Sequence, residues 1–146
     1  KIKSKLNRKT YVKNTNKSNL SFVQENDILL SIKGTIGKSA IVTKHHSGAH
    51  VGSQFVIIRP KSHKDVENIF NNLNSEIVQE QLKKLTTGNF IPFIRRKDLE
   101  KIYFLPLDDH KINKIKKLRK EIDEFTQRLE KSEQELKELL KEKNES

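Results

Sequence analysis

Cysteine is absent from the 146-residue chain, which excludes disulfides and thiolate metal sites. Only five histidines occur, and two of them, His45 and His46, are adjacent in a stretch that reads as loop, so neither a metal nor another cofactor is expected. No run of eighteen apolar residues exists and no signal peptide is recognisable, so the expectation is a cytoplasmic protein with no membrane partner. Tryptophan is missing too, and the three prolines, Pro60, Pro92 and Pro106, each stand alone. The first residue is Lys1 rather than methionine, so the sequence reads as a trimmed or partial product.

Acidic charge is in deficit: 30 Lys+Arg face 19 Asp+Glu, a net charge of +11. Such an excess points to polyanions, and to nucleic acid before membrane. Its placement is uneven. Residues 1–25 hold seven bases and one acid, 26–107 hold twelve and seven, and 108–146 hold eleven of each, or +6, +5 and zero. The basic part and the neutral tail therefore have different tasks, and the length allows one domain plus one appended element.

The most informative stretch is NDILLSIKGTIGKSAIV, residues 26–42. Two β-branched-rich runs, 28–32 and 39–42, flank a turn that needs glycine at Gly34 and Gly37. Lys33, Thr35 and Lys38 in this turn can each bond a phosphate. A nucleotide-binding P-loop fails on spacing, because five residues before Gly37 stands Ile32, and the residues after Lys38 favour a strand. A hairpin remains, either with a plain glycine loop or with a basic loop facing nucleic acid.

Ahead of it, residues 1–20 form a basic arm with few large apolar groups, an extended segment or a strand pair, much of it compatible with disorder. Beyond it, 51–59 reads as one strand ended by Pro60. Val66, Ile69, Phe70 and Leu73, then Ile77, Val78, Leu82 and Leu85, fall at helical spacing. This spacing predicts two consecutive helices, with Asn74 or Ser75 capping the second and Gly88 stopping it. Residues 90–94, FIPFI, are no central strand because Pro92 lacks a donor, and Phe90 and Phe93 read as core. A helical turn through Glu100 and a short strand at 102–105 complete this part.

From Asp108 to Lys143 the pattern is strict. Ile115, Leu118, Ile122, Phe125, Leu129, Leu136 and Leu139 fill alternating a and d positions, with Ser132 the polar exception. A helix of that length, capped by Asp108 or Asp109, exposes a narrow apolar seam and wants a partner helix. The alternative, a surface helix lying on its own domain, is weaker because the domain is too small to cover that length. The predicted class is α+β: a small β-rich domain at 1–107 with two short helices, then a coiled-coil helix at 108–146.

These stretches in this order resemble the specificity (S) subunit of type I restriction–modification systems. The family's target-recognition domain reads "gDiLlsirGtiGkvaiv", then "gs.fvvirp", two helices, "G..ip.i...dL..i.iplP" and a long helix. Here the counterparts are 26–42, 52–60, 65–85, 88–106 and 108 onward, so the resemblance covers 20–143. The family's opening portion is not recognisable ahead of Leu20, and His110 stands where a glutamine is usual. The resemblance implies non-catalytic recognition of one half of a bipartite double-stranded DNA target. It further implies an antiparallel pairing of long helices, in a homodimer or with a second recognition half, that docks methyltransferase (M) subunits and, indirectly, the restriction (R) subunit. The isolated prolines leave no Asp/Asn-Pro-Pro-aromatic methylase motif.

The DNA-contact candidates are Lys33, Thr35, Lys38, Lys44, His45, His46, Thr87, Asn89, Arg95 and Arg96. Lysines neutralise phosphates, whereas Arg95, Arg96 and Asn89 can bond base edges. The alternative for each is a solvated loop charge. Gly34, Gly37 and Gly88 read as backbone requirements, and Arg59, behind a buried run, can equally be structural. Two other functions fit the residues: the C-terminal specificity region of a fused restriction–methylation enzyme, and a basic coiled-coil module binding RNA or protein. RNA readers stack bases on aromatic side chains, and the lack of tryptophan weighs against that reading.

Overall fold

The run Ile28-Leu29-Leu30 has no polar alternation because its strand is covered on both faces. The computed structural model describes residues 4–5, 11–13 and 21–142. In chain order the strands are β1 (Ser4–Lys5), β2 (Tyr11–Lys13), β3 (Ser21–Phe22), β4 (Ile28–Ser31), β5 (Ser39–Ile41), β6 (His50–Val51), β7 (Phe55–Pro60) and β8 (Tyr103–Phe104). The helices are α1 (His63–Leu73), α2 (Glu76–Leu85) and α3 (Asp109–Glu142), with 3-10 turns at Lys44–His46 and Arg96–Lys101. The rest of the basic arm expected at 1–20 lies outside the described residues.

Strands β2, β7, β4 and β5 form one antiparallel sheet in that order, while β1 pairs with β8 and β3 with β6. Ile28 and Leu30 of β4 and Val56 and Ile58 of β7 face the main core. There they meet Val66, Ile69 and Leu73 of α1, Val78 and Leu82 of α2, and Ile94, Leu99, Ile102 and Phe104. Leu29 and Ile57 point the other way, into a smaller cluster with Val23, Val42 and Val51. Each full burial of such a side chain contributes about 1.5–3 kcal/mol. The chain separates into two compact units, Lys1–Leu107 and Asp108–Ser146.

Local chemistry sets the helix ends. The Ser62 hydroxyl caps α1 by accepting from the Asp65 amide, and Ser75 caps α2 by accepting from the Val78 amide. Asn74 closes α1 by donating its side-chain amide to the Phe70 carbonyl at 2.8 Å. In the second unit, Asp108 Oδ1 accepts from the Lys111 amide at 2.7 Å at the start of α3. Its 34 residues span about 51 Å at 1.5 Å per residue.

Three local expectations are corrected. The run 51–59 is not one strand: the Phe55 amide turns back onto the Gly52 carbonyl at 3.2 Å, so β6 joins β3 while β7 enters the main sheet. Gly88 does not stop α2, which ends at Thr86, where the amide donates to Lys83 O and the hydroxyl to Leu82 O. Phe90 and Phe93 are exposed rather than core. Their segment runs outward because Thr87 and Phe93 pair with each other across it.

Long-range side-chain amides fix the exit of the first unit. Asn72 donates to Leu105 O and accepts from Leu105 N, at 3.0 and 2.8 Å. Gln81 does the same for Tyr103, at 2.9 and 2.8 Å. Both helices thus hold the 103–105 backbone much as a neighbouring strand would.

Candidate nucleic-acid interface

The loop between β4 and β5 is tied by backbone hydrogen bonds at Ile32, Gly34, Gly37 and Lys38. Ser31 donates its amide to Lys38 O, accepts from the Gly37 amide on its carbonyl, and accepts from the Lys38 amide on its hydroxyl, at 2.8, 2.9 and 2.9 Å. Gly34 and Gly37 both adopt positive φ, 77° and 85°, which explains their residue type. Gln79 of α2 donates from Nε2 to Gly37 O at 3.0 Å and to Leu73 O at 2.6 Å, and a Cβ at Gly37 would lie 2.7 Å from Gln79 Oε1. This stiff loop holds Lys33, Thr35 and Lys38 exposed.

A second loop is stitched to the first. Residues 32–34 run antiparallel beside 92–94: the Ile94 amide donates to Ile32 O at 2.8 Å, the Gly34 amide to Pro92 O at 2.9 Å, and Lys33 bridges Phe93. Thr87 and Phe93 exchange backbone hydrogen bonds of 2.9 and 2.8 Å. The register places Thr87 beside Phe93, which in turn lies beside Lys33. It leaves Arg95 and Arg96 on the side of β7, where Arg96 Nη2 approaches Phe55 O at 3.5 Å. A cleft of about 540 Å³ opens between the two loops and α2, lined by Gly34, Ile36, Gln79, Lys83, Thr86 and Pro92, with Glu80 and Leu82.

Lys33, Thr35, Lys38, Thr87, Asn89, Arg95 and Arg96 thus share the sheet end marked by the close of β4 and the starts of β5 and β7. Lys44, His45 and His46 do not join them. Their 3-10 turn comes after β5 at the opposite end, about 13 Å away along four residues of β4, with His46 Nδ1 bonded to the Thr43 hydroxyl at 2.9 Å. Lys83, on the cleft, is not legible as a site residue in the sequence because it falls in the last turn of α2, where a lysine suits the helix dipole. Gln79 carries no sequence signal at all.

Two buried carboxylates, Asp98 and Asp27, hold ion pairs in the first unit. Asp98 is buried and accepts from Lys101 Nζ and Arg95 Nε, both at 2.6 Å. The hydrogen bonds from Lys101 and then Arg95 hold its carboxyl below the usual carboxylate range. Arg95 therefore has one nitrogen committed to the scaffold, although its side chain remains 54% exposed. Arg59 is structural: Nε and Nη2 bind both oxygens of Asp27 at 2.8 and 2.7 Å, and Asp27 is only 1% exposed. The hydrogen bond to Asp27 raises the Arg59 pKa above its ordinary value. Among the described residues, no group of three or more His, Asp or Glu is placed to hold a metal, and no helix is long and apolar enough to cross a membrane.

The model of the type I restriction modification DNA specificity domain matches residues 1–141. The chain belongs to this family. The match takes in the first nineteen residues, which lie ahead of the recognisable motifs. The crystal structure of a type-I restriction-modification system S subunit from M. genitalium shares the fold, with a TM-score of 0.56 at 19% identity. The alignment covers 71% of this chain and 28% of that one, so this specificity-domain chain corresponds to under a third of that subunit. No curated protein matches.

Proposed function

We propose that the two stitched loops read one half of a bipartite duplex target, in a subunit or half-subunit without catalytic chemistry of its own. The observation that carries this is the gathering of Lys33, Lys38, Arg95, Arg96, Asn89 and Thr87 on one stiff sheet end in a chain of the DNA specificity family. Lysines there neutralise phosphates, while Asn89 and Arg96 have the donors to read base edges. Lys44, His45 and His46, at the far end, would meet backbone only on a longer stretch of duplex.

Unit Asp108–Ser146 is the spacer. Along α3, Leu118, Ile122, Phe125, Leu129, Leu136 and Leu139 are all more than half-exposed or at half exposure, so the seam begun at Ile115 is free to take a helix. The partner is a second copy or a second recognition half, paired antiparallel, so that two DNA-reading surfaces stand a helix length apart. The paired helices also form the dock for methyltransferase subunits, through which a restriction subunit would be recruited.

Salt dependence tests the DNA reading. Four phosphate contacts would lower duplex affinity about 150-fold between roughly 50 and 200 mM salt. Fluorescence anisotropy of a labelled duplex gives this slope directly. A flat response, or no binding at the lower salt, counts against the proposal.

A further inference from the structure

The loop between Thr87 and Phe93 turns its apolar side chains outward. Phe90 is 100% exposed and Ile91 56%. This is not a loose end of chain. The Thr87–Phe93 backbone pair closes the loop, and the Gly34 amide on Pro92 O fastens it to the glycine turn. Gly88 sits at φ 101°, where any Cβ would collide with the Ile91 carbonyl. A stiff turn has been built whose tip consists of a phenylalanine and an isoleucine, followed by Pro92.

The surroundings of the tip are cationic. Lys33 bridges Phe93, Lys83 lines the cleft beside Pro92 and Gly34, and Arg95 follows three residues after Pro92 in the chain. Asp98 is buried and paired, and Glu80 lies on the cleft. An apolar point ringed by cations complements an apolar stack flanked by phosphates. That is a base step of duplex DNA seen from its minor groove, into which Phe, Ile and Pro side chains insert in bending proteins.

We propose that Phe90 and Ile91 form a wedge that enters a base step from the minor groove and unstacks it. Lys33 and Lys83 hold the flanking phosphates. The wedge rests on the DNA-binding reading given above, and extends it from contact to deformation of the target.

The absence of tryptophan supplies the probe: Phe90→Trp creates a single indole at the tip of the full chain. Duplex binding is followed by anisotropy of a labelled DNA, and the indole by its own emission. Stacking between bases should quench the emission in step with the anisotropy and shield the indole from acrylamide. Phe90→Ala combined with Ile91→Ala, with circular dichroism unchanged, should lose about fivefold or more in affinity. A 2-aminopurine at the bound step should brighten with the parent chain and not with the double variant. If the parent chain binds duplex but the indole stays bright and accessible, the wedge is overturned while DNA binding stands. If the indole is shielded only by a purified partner subunit, the tip is a protein contact and the wedge is likewise overturned. If the parent chain shows no anisotropy change at low salt, the DNA reading itself fails and the wedge falls with it.

Discussion

Replacing Asp27 by asparagine removes one charge from the best-buried ion pair of the first unit. The Asp27 carboxylate is 1% exposed and accepts three hydrogen bonds: two from Arg59, at 2.8 and 2.7 Å, and one from the Gln24 amide at 2.7 Å. The asparagine amide keeps one oxygen and turns an NH₂ toward donors. At least one charge-assisted bond is lost, and the Arg59 charge is left without its counter-ion. Breaking a fully buried pair costs about 3–5 kcal/mol. The Arg59 side chain is 28% exposed, so water recovers part of that, and about 2–4 kcal/mol is expected. For a unit of this size the midpoint of thermal unfolding should fall by roughly 9–18 °C. Asp27 and Arg59 lie at the sheet end away from the stitched loops, so duplex binding at low temperature should survive. Urea titrations followed by circular dichroism measure the loss. Replacing Asp27 and Arg59 together by leucine should cost less than Asp27→Asn alone, since no charge is then stranded. An Asp27→Asn variant within about 0.5 kcal/mol of the parent would refute the reasoning, because surface substitutions behave that way.

Other outcomes rest on the same framework. Gly37→Ala should destabilise by about 1–3 kcal/mol, because φ is 85° and the new Cβ would displace Gln79; equilibrium unfolding reads it. Asp98 has a depressed folded-state pKa, so its contribution is complete above the ordinary carboxylate value, about 3.9, and fades as pH falls through the lower folded value. The stability gap between parent and Asp98→Asn should therefore be constant above about pH 5 and close below it. Phe125→Asp places a charge in the middle of the α3 seam and should convert a dimer to a monomer in sedimentation at tens of micromolar. A parent chain that is monomeric there would reserve the seam for a different subunit. Arg96→Lys should weaken binding to a preferred duplex more than to random duplex, since lysine lacks the planar fork, and equal losses would assign Arg96 to phosphate.

The features legible in the sequence are local. The α3 seam repeats every few residues, and the Ser62 and Ser75 caps act within one turn, so these helices declare themselves. The glycine turn does the same, because Gly34 and Gly37 can hold positive φ where their neighbours cannot. The features that escape depend on partners far along the chain. Gln79 reaches Gly37 over 42 residues, Asn72 reaches Leu105 over 33, and Asp27 meets Arg59 over 32. The split of 51–59 into two strands reflects a choice between β3 and β4 as neighbours, which composition does not encode. Phe90 and Phe93 read as core on polarity alone. Apolar residues supply much of any protein surface, and here backbone pairing of 32–34 with 92–94 decides their direction. That pairing also assembles the candidate interface, and no short motif announces it.

Selection from a random-sequence duplex pool tests the central claim most directly. The chain is mixed with the pool at rising salt, and the retained duplexes are sequenced. The account predicts that salt strips away most of the pool, because phosphate contacts alone are screened, and leaves duplexes sharing one short motif. Substituting Asn89 or Arg96 should change that motif at single positions, while Lys44→Ala should leave it intact. Retention without any base preference at every salt concentration, or no retention at all, would contradict it.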